Sequence, residues 1–254
     1  MKTCTQCNAE MDEKEAVCPQ CGFRSQQPGG GPPWIQDPKL MNMMRACYFG
    51  TLTFYQGDYD RAIADYTELI QVEPYQAKQY GPNPAVFFNR GQAYRQKGDY
   101  DHAIADFTES IRLGPKGTDA IQAHLNRADA YLMKGRYKDA IADCTETIRL
   151  DSKNTIAYLG RGTALGLNGE YDKAIADFTE AIRIEPRSAP TYYYRGNAYR
   201  MKQDNDRAIA DYTEAIGLDP NYAAAYKNRA AAYRALSDEA NAVSDERKVK
   251  ELTQ

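Results

Sequence analysis

The sequence is poor in the groups that carry out chemistry. Of 254 residues only His102 and His124 are histidine, and Trp34 is the one tryptophan. It has neither a phosphate-cradling glycine loop nor a G-x-S-x-G turn, and neither histidine has a nucleophile near it in its repeat. These gaps argue against an enzyme. No apolar run approaches the roughly 18 residues that suggest a membrane span. No apolar core follows Lys2 as it would in an export signal, so a cytoplasmic protein with no membrane partner is expected. The formal net charge is only −3, which provides no strong pull toward nucleic acid or anionic lipid. Hydrophobic residues make up 43% and charged residues 26%, as in a folded soluble chain.

What the sequence does have is repetition. Gly169-Glu-Tyr-Asp-Lys-Ala-Ile-Ala-Asp-Phe-Thr-Glu-Ala-Ile-Arg-Ile-Glu-Pro186 returns, altered, from Gly57, Gly98, Gly135 and Gln203, and weakly from Ser237. The aspartate after Ala-Ile-Ala falls at Asp65, Asp106, Asp143, Asp177, Asp211 and Asp245, in steps of 41, 37, 34, 34 and 34 residues. The extra residues of the first two steps sit in turn-rich stretches, residues 74–83 and 115–118, so they lengthen loops and spare helices. Each copy reads as a helical hairpin. In the fourth, Thr155–Asn168 and Tyr171–Ile184 are the expected helices, Gly169 the turn, and Pro186 the stop. Ala174, Ile175, Phe178, Ala181 and Ile182 make one apolar stripe; Tyr158, Gly162 and Leu165 make the complementary one. Gly162 and Ala174 are small enough to let the two backbones approach.

Four of the six cysteines fall in the first 21 residues, as Cys4-Thr-Gln-Cys7 and Cys18-Pro-Gln-Cys21. Two C-x-x-C pairs ten residues apart suit one tetrahedral structural Zn2+ site with no open position. Paired disulfides would need an oxidising compartment, and a redox C-x-x-C normally accompanies a βαβ pattern, which is absent. The stretch resembles short zinc-ribbon modules. Its Lys2, Lys14 and Arg24 are outnumbered by Glu10, Asp12, Glu13 and Glu15, which is not a phosphate-binding patch. The expected division is a zinc ribbon at 1–24, a Gly/Pro/Gln-rich flexible linker at 25–37, and the repeat array at 38–254, with Trp34 or Ile35 docking on its first helix or, as the alternative, exposed for a partner.

The pattern Tyr158-x-x-Arg-Gly162-x-x-Leu165, Ala174-x-x-x-Phe178, Pro186 resembles the tetratricopeptide repeat. The fifth copy repeats it with Tyr192, Gly196, Tyr199, Ala208, Tyr212 and Pro220. The third departs, placing His124 in the aromatic slot, Ala128 for Gly and Cys144 for Phe, so that His124 reads as packing and Cys144 as a buried thiol. The resemblance implies an all-α, right-handed helix-turn-helix solenoid of about six repeats, at about 40–74, 84–115, 121–152, 155–186, 189–220 and 223–252. The last helix turns polar after Ser237, as a cap should, with Ala242, Val243, Val249 and Leu252 as its apolar edge. Arg90, Arg127, Arg161, Arg195 and Arg229 on the first helices are expected to pair with the repeated Asp, and with Glu68, Glu109, Glu146, Glu180 and Glu214, fixing the stacking register. The alternative is a solvated face, where each pair contributes only about 0–1 kcal/mol.

The resemblance further implies a non-enzymatic scaffold that holds a protein or peptide segment along the concave face of the first helices. The matching positions are Phe88, Asn89, Gln92 and Arg95; Gln122, Leu125, Asn126, Asp129 and Leu132; Ile156, Leu159 and Thr163; Tyr193, Asn197 and Arg200; then Lys227 and Arg234. Some relatives clamp a peptide carboxylate with Lys and Asn. Asn89, Asn126 and Asn228 occupy the central place, but Cys47, Thr51, Phe88, Gln92 and Tyr193 stand where flanking clamp residues belong, so a complete clamp is absent. The expected ligand is an extended or helical segment with apolar anchors and some acid. The alternative is a nucleic-acid-associated or regulatory subunit using the zinc ribbon as a second contact, with self-association through an uncapped end a further one.

Overall fold

The computed structural model describes residues 2–3, 10–11, 50–72, 83–114 and 117–253. The chain divides into two compact units, Met1–Gly81 and Pro82–Gln254. Cys4, Cys7, Cys18, Cys21, Trp34, Ile35 and Cys47 lie outside the described residues.

In the first unit β1 (Lys2–Thr3) pairs antiparallel with β2 (Glu10–Met11), Lys2 opposite Met11 and Thr3 opposite Glu10. Residues 50–55 are helical and turn through Gly57, at φ 81°, into α1 (Tyr59–Val72). The two helical segments close on each other where a Cβ on Gly50 would stand 3.0 Å from Tyr66 Cε1.

The second unit is five successive hairpins: α2 (Pro84–Gln96) with α3 (Tyr100–Arg112), α4 (Thr118–Met133) with α5 (Tyr137–Leu150), α6 (Thr155–Leu167) with α7 (Tyr171–Ile184), α8 (Ala189–Met201) with α9 (Asn205–Leu218), and α10 (Ala223–Ala235) with α11 (Glu239–Leu252). With the hairpin of the first unit, the paired helical repeats among the described residues number six. Helix α6 ends at Leu167, and Asn168 serves as its cap.

Each hairpin turn shares one pattern of backbone hydrogen bonds, to which a side-chain cap is added where an aspartate follows but not at Arg136 or Glu170. In the second repeat Gly98, at φ 78°, donates its N–H to Arg95 O (3.0 Å) and Asp99 donates to Tyr94 O (2.9 Å), satisfying the last carbonyls of α2. The Asp99 carboxylate then accepts from His102 N and starts α3. Gly135 and Gly169 repeat the left-handed step, but Gln203 (φ 63°) and Ser237 (φ 61°) make it without being glycine.

The second helices bury a narrow stripe. In α7 it is Ala174, Asp177, Phe178 and Ala181, the spacing of one helix face. Phe178 is 2% exposed, a burial that contributes about 2–3 kcal/mol. Its ring sits against Gly162, where a Cβ would lie 2.6 Å away; Gly91 meets Phe107 and Gly196 meets Tyr212 in the same manner. In the third repeat the smaller Cys144 leaves room for Ala128, and Cys144 Sγ instead lies against Gly160 of the next hairpin. One expectation for the last helix fails. Ala242 is buried, but Val243 is 43% exposed, because the helix turns Asp245 inward beside it.

Within the second unit each second helix that is followed by a further hairpin packs on the first helix of that hairpin, and successive first helices also meet one another. Among the described residues of the second unit no two second helices meet. The first helices therefore crowd on the inner side of the stack and line its concave face.

Candidate functional site

The arginines of the first helices lie between that face and the core. Arg90, Arg127, Arg161, Arg195 and Arg229 each grip the aspartate sixteen residues later in the same hairpin, Nε to Oδ2 at 2.8 Å and Nη2 to Oδ1 at 2.7–2.8 Å. The aspartate side chains are only 5–9% exposed, which excludes the solvated-face alternative. In four hairpins Nη1 also donates to a threonine of the preceding second helix: Arg127 to Thr108, Arg161 to Thr145, Arg195 to Thr179 and Arg229 to Thr213. One side chain thus ties a hairpin shut and sets its register on its neighbour. The guanidiniums also lie over ring faces, Arg161 over Tyr158 and Arg195 over Tyr192, each at 5.6 Å. The expected glutamate partners are a correction. Glu109, Glu146 and Glu180 pair with Arg112, Arg149 and Arg183 one turn along their own helices, the nearest cations on an exposed face.

His124 also departs from its expected role as plain packing. Its Nδ1 lies 2.8 Å from Asp143 Oδ1, giving that carboxylate a second partner beside Arg127. Burial pushes Asp143 up, but the hydrogen bonds from Arg127 and His124 outweigh it and hold the carboxyl below its ordinary value. Burial pushes the neighbouring Cys144 thiol up to about 12, so it is not a nucleophile at neutral pH.

The sequence-derived groove positions fall into three groups. Arg95 and Asp129 are spent on each other, Nη1 to Oδ2 at 2.7 Å across adjacent hairpins. Tyr193, Asn197 and Asn228 form a polar cluster: Asn228 Nδ2 donates to Tyr193 Oη (3.1 Å) and Asn197 Oδ1 (2.7 Å), and the Tyr212 hydroxyl donates to the same Oδ1 (2.8 Å). Burial pushes the Tyr212 hydroxyl up to about 12. Arg234 pairs with Glu239 and Glu246 of α11. Gln92, Leu125, Leu132, Leu159, Thr163 and Arg200 are half-buried, with Leu132 and Leu159 packed on the buried clusters and Thr163 donating to Leu159 O, while Lys227 and Ile156 are exposed. Asn126 donates to Gln122 O, while the half-buried Phe88 packs on the Phe107 ring at 5.7 Å. Phe88, Asn89 and Gln122 line a cavity of about 300 Å³ at the start of α2 and α4.

A second cavity, of about 350 Å³, was missed in the sequence. It opens between α6 and α8, lined by Gly162, Gly166, Leu167, Tyr171, Phe178, Tyr194 and Met201, with Thr163, Asn197 and Ala198. The signal was Gly166. Arg95, Leu132, Arg200 and Arg234 hold that place in other repeats, and its loss of a side chain empties the gap. Among the described residues no group of three or more His, Cys, Asp or Glu could hold a metal, and no helix is long and apolar enough to cross a membrane.

Family models described as tetratricopeptide repeat match residues 49–118, 121–154, 155–188 and 189–222. No curated protein matches the chain. Among solved structures, the MamA protein is 27% identical over 66% of this chain and 91% of its own, with a TM-score of 0.59. A tetratricopeptide repeat protein from Parabacteroides merdae is 20% identical over 83% of this chain and 80% of its own, at 0.72. YrrB, described as a TPR protein with an unusual peptide-binding site, is 20% identical over 71% and 88%, at 0.60.

Proposed function

The chain belongs to the tetratricopeptide repeat family, and on that premise we propose that it is a non-enzymatic scaffold whose first helices hold a segment of another polypeptide. The observation that carries this reading is the continuity of the first-helix face. The first helices of successive hairpins touch, while Leu159, Thr163, Tyr193 and Asn197 stand along them half-exposed. Half-exposed aromatic and amide side chains on a rigid frame suit peptide recognition, because little side-chain entropy is left to lose. The peptide-binding site named for YrrB is in keeping with this use of the fold.

The same reading gives the N-terminal cysteines a structural role. Cys4, Cys7, Cys18 and Cys21 would hold one Zn2+ as four thiolates, and β1 and β2, which flank Cys4 and Cys7 in sequence, suit the ribbon that such a site folds. The metal would supply the folding free energy of residues 1–24, on the order of 10 kcal/mol, with residues 25–37 as tether. We place the protein in the cytoplasm, where four thiols stay reduced for a metal.

Affinity purification of the full-length protein, read by mass spectrometry, tests the scaffold. A partner retained by wild type and by Ala176→Lys on the outer helix α7, but lost with Leu159→Lys on α6, is expected. A partner set that Leu159→Lys leaves unchanged overturns it.

A further inference from the structure

We infer that the fourth and fifth hairpins hold one particular kind of segment: a peptide that places an apolar side chain in the cavity between α6 and α8 and an acidic group on Arg200. The inference rests on the scaffold reading and identifies its ligand.

The apolar half comes from the cavity. At about 350 Å³ it takes a Leu or Phe side chain, and its walls are Phe178, Tyr171, Tyr194 and Met201. Phe178 and Tyr194 stack at 6.2 Å to form one wall. Around it Leu167 is 57% exposed and Met201 53%, an apolar rim that the fold leaves uncovered. The room exists because of Gly166, whose added Cβ would meet only Ala174, at 3.9 Å.

The acidic half comes from comparing Arg200 with Arg95. The two hold the same place on their first helices, eleven residues before Asp211 and Asp106. Arg95 is neutralised by Asp129 of the next hairpin. The residue equivalent to Asp129 beyond Arg200 is Ala231, and among the described residues no carboxylate pairs with Arg200. Arg200 lies against the Tyr212 hydroxyl; its buried Nε has no hydrogen-bond partner, as is also true of Arg95, so what separates the two is the missing carboxylate. A half-buried guanidinium without a carboxylate partner is completed by an anion from outside. The two halves adjoin through Asn197, which lines the cavity and accepts the Tyr212 hydroxyl hydrogen bond. Lys227 on α10 adds positive charge to this end of the face.

The test uses full-length protein and short fluorescein-labelled peptides carrying one Leu or Phe and one Asp or Glu, at varied spacing, in a Gly/Ser background. Anisotropy should show binding at a preferred spacing, and loss of at least about tenfold when the acid becomes Lys. Gly166→Leu, which copies Leu132 of the third repeat, fills the cavity and should weaken binding by a similar factor. Ala231→Asp should recreate the Arg95–Asp129 pair, occupy Arg200 and weaken only the acidic peptides, with thermal stability kept or raised. Binding indifferent to the acid or to Ala231→Asp overturns the inference, as does failure of every peptide in the set to bind. If a partner is still lost with Leu159→Lys after such a failure, the scaffold reading survives and only this assignment of its ligand falls.

Discussion

Arg161 holds Asp177 with two parallel hydrogen bonds of 2.8 Å and reaches back with its remaining nitrogen to Thr145 of the preceding hairpin at 3.3 Å. Replacing Arg161 with Met leaves a carboxylate that is 9% exposed without its cation. Breaking a buried pair from one side costs about 3–5 kcal/mol. Urea unfolding of Arg161→Met should show a loss of that size, and Arg161→Met with Asp177→Leu should recover most of it. An unchanged midpoint for the single variant would remove the ladder from the account.

The close approach of α6 and α7 depends on a hydrogen atom at Gly162. A methyl group there meets Phe178 Cε1 at 2.6 Å, so Gly162→Ala should destabilise by about 1–3 kcal/mol. The third repeat already pairs Ala128 with Cys144. Adding Phe178→Cys to Gly162→Ala should therefore cost less than the two changes summed, by about 1 kcal/mol in a double-mutant cycle.

Gln203 and Ser237 take the left-handed turn that glycine takes at Gly98, Gly135 and Gly169. Side chains in that region cost about 1–2 kcal/mol, partly offset by the entropy glycine loses on folding. Gln203→Gly and Ser237→Gly should each raise stability by up to about 1 kcal/mol, readable as a higher urea midpoint at unchanged slope.

Asp143 gives the array an acid limit. Its folded value lies below the ordinary carboxylate range, so its contribution is whole above about pH 4 and is lost as pH falls through the folded value. Stability measured downward from neutral pH should decline through that window. Asp143→Asn should be less stable at neutral pH and show a shallower decline, so that the two curves converge in acid. Parallel curves would assign the acid loss to other carboxylates.

The architecture was legible because a 34-residue period leaves few choices. Gly169 and Pro186 bracket α7, and Tyr171–Ile184 falls where the pattern places it. The arginine ladder was legible as a repeat, and its aspartate partners with it. What the pattern hides is which neighbour a side chain chooses. Arg95 reaches Asp129 on the next hairpin, and Glu180 turns to Arg183 on its own helix, because distance in space decides and the period does not encode it. His124 binding Asp143 was hidden by its standing in an aromatic slot, and the cavity by Gly166, since an absent side chain leaves only a gap in the pattern. The placement of Val243 on the buried edge missed that Asp245 claims that side of α11 for Arg229.

The central claim, that the first-helix face is where another polypeptide lies, is most directly measured by site-specific photo-crosslinking in cells. A photoreactive residue at Leu159 or Thr163 on α6 should capture one defined polypeptide, and the same residue at Ala176 or Ala210 on the outer helices α7 and α9 should not. Capture confined to the outer positions, with none from α6, would contradict the account.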